Sequence, residues 1–145
     1  MNDLEKAIQH ALASAGVTDA ANKAYLEFIK ANFIVPIEIT SSEDAPEVLF
    51  FQAKDHVFLP VFSNLAFFDQ WASDIQSSVK ILHLSGVNLL HGIGEHVTVS
   101  LNLNSPLYKE FNPSELARMR SMIIKLGLIK QPNQLLDTLE LQTPQ

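Results

Sequence analysis

Four histidines have the chemistry for a metal site: His56, and His83, His91 and His96, the last three within fourteen residues. Histidine and carboxylate ligands can hold zinc or iron without cysteine. The spacing argues against it. No HxH, HxxxH or HExxH pattern occurs, and His91 and His96 flank the Gly92–Gly94 turn. Incidental histidines are the plainer reading. Serine catalysis lacks a G-x-S-x-G elbow, and Ser63-Asn64 and Ser85-Gly86 read as helix caps. Gly92-Ile93-Gly94 lacks the Lys-Ser/Thr of a phosphate loop and precedes a strand, not a helix. Asp69 and Asp74 flank Trp71, but five residues apart on a helix they point to different faces.

Binding is the better-supported chemistry. The stretch from Phe50 to Trp71 carries Phe50, Phe51, Phe58, Phe62, Phe67, Phe68 and the only tryptophan. That is more large apolar surface than a small, half-covered sheet needs, so an exposed patch is expected. Pro36 and Pro60 suggest strand edges, which can pair with another chain or with a second copy. Charge is also uneven. Between Pro113 and Lys130, Glu115 is the only acid against Arg118, Arg120, Lys125 and Lys130. Between Glu38 and Asp55, five acids face Lys54 alone. A partner surface of apolar and basic residues is expected near Tyr108, Arg118 and Lys125.

Composition narrows the field. The 145 residues suit one domain, and 47% hydrophobic with 18% charged is ordinary for a globular chain. The chain has no cysteine, which removes disulfides, thiolate catalysis and Cys-based metal centres. A net charge of −6 disfavours general nucleic-acid binding. No apolar run is long enough to span a membrane, and the N-terminus lacks the pattern of a secretory signal. A cytoplasmic protein without a cofactor is expected.

The elements follow from periodicity and punctuation. Leu4, Ala7, Ile8, Ala11 and Leu12 make an amphipathic helix over 3–15, which Gly16 is placed to end. A second helix starts at Thr18 or Asp19 and turns Ala21, Tyr25, Phe28 and Ile29 inward, completing a helical hairpin. Strands are predicted over 33–39, 47–52, 56–62 and 96–103, with 79–84 a possible fifth. The segment 96–103 alternates polar and apolar residues, as a strand with one buried and one polar face does. Short helices follow Ser63-Asn64 and Ser85. Asn112-Pro113-Ser114-Glu115 opens the last helix, which runs to about Gly127.

The order of these features resembles the N-terminal domain of the SseB family, the bacterial proteins named for enhanced serine sensitivity. The resemblance rests on the Val35-Pro36 step, on Leu59-Pro60-Val61-Phe62-Ser63 leading to a helix that ends in Trp71, and on the strand and helix that close it. It covers roughly residues 20–127. Where the family tends to have Asn-Pro-Gly-Ser, this chain has Asn102-Leu103-Asn104-Ser105; Asn104 can stand for glycine because it tolerates left-handed dihedrals. The resemblance implies an α/β fold and a bacterial source, and no catalytic residues.

The expectation is therefore one α+β domain over 1–145: a core over 20–127, an N-terminal helix over 1–16 and a tail over 131–145. A mixed or antiparallel sheet of four to five strands carries helices on one face, with the helical hairpin added. The expected function is a non-catalytic, cytoplasmic protein-interaction or regulatory module with an unidentified protein partner, able to self-associate through an edge strand or apolar patch. The alternative is a small-molecule binder or enzyme with a pocket near His83 and His91.

Overall fold

The computed structural model describes residues 1–15, 17–42 and 44–127. The cap expected at Gly16 and the tail over 131–145 lie outside these residues. Helices α1 (Asp3–Ala13) and α2 (Thr18–Lys30) form the N-terminal hairpin. Asn2 caps α1 in a capping box with Glu5, which supplies two of the bonds a helix start lacks. Strands β1 (Asn32–Glu38), β2 (Phe51–Ala53) and β3 (His56–Val61) follow. Next come α3 (Leu65–Trp71), β4 (Val79–Ser85), α4 (Gly86–Gly92), β5 (Val97–Leu101) and β6 (Lys109–Phe111). The last element, α5 (Pro113–Lys125), begins with the expected capping box of Asn112 and Glu115.

The fold is α+β. A mixed four-stranded sheet runs β2-β3-β5-β6, with β3 and β5 parallel and the other pairs antiparallel. Strands β1 and β4 form an antiparallel ribbon beside it. The two are stitched where Ile34 and Phe62 exchange both backbone hydrogen bonds at 2.9 Å. Beyond that point β1 and β3 diverge, and residues 47–53 fill the gap. Glu47 and Leu49 bond to Glu38 and Pro36 of β1; Phe51 and Ala53 then pair with Phe58 and His56 of β3. The segment expected as one strand over 47–52 is thus shared between two partners, and its direction reverses near Phe50. The hairpin to β3 closes through Lys54, whose φ is 56°.

This arrangement changes the reading of the prolines. In the register set by Ile34 and Phe62, Pro36 stands opposite Pro60. Both are buried and face the inner seam, so neither marks an outer edge.

Helices α1, α2, α4 and α5 pack on one face of the four-stranded sheet, as expected, and the β1–β4 ribbon is covered on both of its faces. Leu59, Val61, Val97, Val99 and Leu101 share a core with residues of α1, α2, α4 and α5. On the ribbon's other face, α3 places Phe68 and Trp71 against Val79, Ile34 and Ile81, and against Phe62 just beyond β3. Phe62 is fully buried there, with ring centroids 5.7 Å from Phe68 and 5.2 Å from Trp71. Strand β5 also departs from expectation. Its polar residues Thr98 and Ser100 are buried like its apolar ones, on a central strand between β3 and β6. It stops at Asn102, whose φ of 58° is left-handed.

Candidate functional site

A buried polar cluster lies just beyond the carboxyl ends of the parallel pair β3 and β5, the place where α/β sheets commonly bind ligands. It is built from Glu5 of α1, Ser63 and Asn64 after β3, and Asn102 after β5. The Ser63 hydroxyl donates to Glu5 Oε2 at 2.5 Å, and Asn64 Nδ2 donates to the same oxygen at 2.6 Å. Asn102 Nδ2 donates to Ser63 Oγ at 2.9 Å, while the Ser63 N–H donates back to Asn102 Oδ1 at 2.9 Å. Glu5 Oε1 accepts from the Asn2 N–H at 3.0 Å. Burial alone would raise the Glu5 carboxyl. The hydrogen bonds from Ser63, the Asn2 backbone and Asn64 outweigh that effect and hold it below the usual carboxylate range.

This network docks α1 and α3 onto the strand ends. Its donors and acceptors are taken up by one another, so it does not present the convergent free groups that grip a substrate. Asn64 fills the capping role expected of it, accepting from the Phe67 N–H at 2.8 Å. Ser63 is a hub, not a cap. Glu5 was missed because an acid in the first turn of a helix reads as a solvated, dipole-favoured residue. The available signal was its place as third residue after Asn2, the capping-box spacing.

A second cluster joins α2, β6 and α5. The Tyr25 hydroxyl donates to Glu115 Oε2 at 2.7 Å, and Lys109 Nζ lies 3.4 Å from the same oxygen. Burial, then the bond to Glu115, pushes the Tyr25 hydroxyl up to about 12. Lys109 also sits 4.8 Å from the centre of the Phe111 ring. These contacts hold α5 against the hairpin.

The residues expected at a partner surface are divided. Arg118 and Lys125 are exposed and seven residues apart on α5, hence on one face of that helix. Neither forms an ion pair among the described residues. Arg120 differs: its guanidinium donates to the carbonyls of Leu90 at 2.9 Å and Ile93 at 3.2 Å, sealing the end of α4. Those carbonyls belong to the Gly92–Gly94 turn region, which therefore offers no cradle for phosphate. Tyr108 does not join Arg118. Its hydroxyl donates to Glu110, which pairs with Ser100 on the sheet face opposite α5. Burial and that bond push Tyr108 up to about 12.

The histidines do not converge. His83 lies opposite Ile34 on the face that α3 covers, whereas His91 lies on α4 on the other face. His56, His83, His91 and His96 are all exposed. Among the described residues no three His, Asp or Glu side chains come together to hold a metal ion. Asp69 and Asp74 are both exposed. The expected apolar exposure is present: Phe50 is 48% and Phe51 38% exposed, and Phe51 stacks on Phe58 with ring centroids 5.3 Å apart. No helix of the described residues is long and apolar enough to cross a membrane.

No curated protein and no solved structure matches the chain. A family model described as the SseB protein N-terminal domain matches residues 4–118, from the first turn of α1 into α5. The match reaches further toward the N-terminus than the motifs in the sequence did, and it takes in the helical hairpin and the Glu5 cluster. The chain belongs to the SseB family.

Proposed function

We propose that the protein is a non-catalytic, cytoplasmic interaction or regulatory module of the SseB type, and that it docks an acidic segment of a partner protein on the outer face of α5. The observation that carries this reading is the pair Arg118 and Lys125: two exposed cations on one helical face, without acidic partners among the described residues, in a chain of net charge −6. An unneutralised basic patch on an acidic protein steers an acidic partner and fixes its orientation. Arg120 is engaged with α4 and is not part of the patch. Tyr108 belongs to the opposite sheet face and is left out of it.

The test is co-purification from the native host, comparing the wild-type chain with Arg118→Glu/Lys125→Glu and identifying bound proteins by mass spectrometry. The double variant is expected to lose a specific partner that the wild type retains, more so at low salt. Retention of every specific partner counts against this surface.

A further inference from the structure

Strand β4 has an edge that the described residues leave open. Alternate residues of a strand point their backbone groups to opposite sides. Ile34, Pro36 and Glu38 of β1 use theirs toward β3 and residues 47–49, so Phe33, Val35 and Ile37 bond to β4. Their register partners are Leu84, Leu82 and Lys80. The N–H and C=O groups of Val79, Ile81 and His83 therefore point outward, and none has a hydrogen-bond partner among the described residues. Seven residues of strand, with no proline and a continuous register, form an edge without the usual protections. Its one lysine, Lys80, turns its ammonium back to the Ser41 carbonyl of the same chain.

We infer that β4 is a homodimerisation strand: two copies pair their β4 edges antiparallel about a two-fold axis at Leu82. This is the register of full overlap, and it is compatible with the outward-facing groups. Ile81 of one copy exchanges both backbone bonds with His83 of the other. Leu82 meets its own counterpart in the closely spaced, non-bonded position. A second copy fits because a hydrogen-bond donor meets an acceptor across the pairing. Ile81 lines a cleft of about 320 Å³ beside α3, together with Phe68, Asp69, Gln76, Val79 and Lys80. The pairing brings the imidazole of each His83 to the other copy's Ile81, next to the Asp69 carboxylate. The contact is isologous, so it occurs twice and closes on itself. It is separate from α5, which packs beside β5 and β6.

The full chain is expected to sediment at twice its 16.1 kDa mass. Ile81→Pro removes an outward N–H without removing a bond to β1, and gives a monomer with an unchanged circular-dichroism spectrum. His83→Glu opposes Asp69 with a like charge and weakens self-association about tenfold or more. Leu82→Cys supplies a readout that does not depend on Ile81→Pro folding. The chain has no native cysteine, so any disulfide is intermolecular, and opposed non-bonded positions about 4.5 Å apart at Cα suit one. The Leu82→Cys chain should oxidise to a covalent dimer much faster than a Ser121→Cys chain. A wild-type monomer at all concentrations overturns the proposal. So does a dimer unaffected by Ile81→Pro or His83→Glu, or equal oxidation of the two cysteine variants. Retained partner binding in an Arg118→Glu/Lys125→Glu chain bears on the α5 surface alone.

Discussion

Pro36 and Pro60 face each other across the seam between β1 and β3, two residues beyond the last backbone bonds that join those strands. Neither has an N–H to donate, so the ladder ends there and the strands diverge. The opening admits residues 47–53. The Pro36 carbonyl is used, accepting from the Leu49 N–H at 3.2 Å. Pro36→Val would place an N–H in this buried seam, where its own carbonyl is already committed to the inserted segment. We expect a loss of about 1–3 kcal/mol, read as a lower denaturant midpoint. A midpoint at or above the wild-type value would mean that the proline is incidental.

Asn102 combines a left-handed backbone with two side-chain bonds to Ser63. Asn102→Ala loses both bonds and leaves a Cβ at a φ that alanine disfavours, for about 2–3 kcal/mol. Asn102→Gly loses the same bonds without the backbone strain and should be the milder change. Comparing the two by thermal unfolding separates the contributions. Equal effects would assign the whole cost to the hydrogen bonds.

The Glu5 carboxylate gives the fold a dependence on acid. Its pKa is depressed in the folded chain, so folding favours the ionised form. The resulting stability is fully present above the ordinary carboxylate range and is lost as pH falls through the depressed folded value. Glu27, held low first by its bond to Lys23, acts in the same direction. We expect wild-type stability to fall between neutral and acidic pH, and Glu5→Gln to show a shallower fall from a lower start. Parallel pH profiles for the two chains would remove Glu5 as a contributor.

Gly86 begins α4 where its backbone crosses the end of α2. A Cβ there would come within 2.0 Å of the Phe28 carbonyl oxygen and 2.8 Å of that of Ile29. Gly86→Ala must push α4 off α2, at a cost of about 3 kcal/mol. Gly92→Ala meets nothing within 4 Å and is the matched control. Equal unfolding midpoints for these two variants would mean that the α2–α4 contact yields easily.

Local sequence was enough for every element whose signal is carried by neighbours in the chain. The capping box at Asn112, the caps at Asn64 and Ser85, and the apolar periods of α1, α2 and α5 each depend on residues within one or two turns; the capping box at Asn2 had the same spacing and was passed over. The steps that marked the family, Val35-Pro36 and Leu59-Pro60-Val61-Phe62, were legible for the same reason. Strand β6 was not predicted, because three residues, Lys109-Glu110-Phe111, carry too short a pattern for periodicity to register.

Sequence alone settled the fold class, the helical hairpin, the helix starts at Thr18 and Pro113 and, through its missing cysteines, the chemistry that is closed to this chain. Tertiary structure alone decided which side chains meet. Pro36 and Pro60 read as two edge signals until the Ile34–Phe62 bridge set them opposite each other, 24 residues apart in the chain. Glu5 drew no reading of its own until Ser63 and Asn64 closed over it, and Tyr108 and Arg118 read as neighbours until the sheet came between them. The physical reason is common to all three. A side chain's direction follows from its own helix or strand, but what stands in that direction follows from packing between segments far apart in sequence.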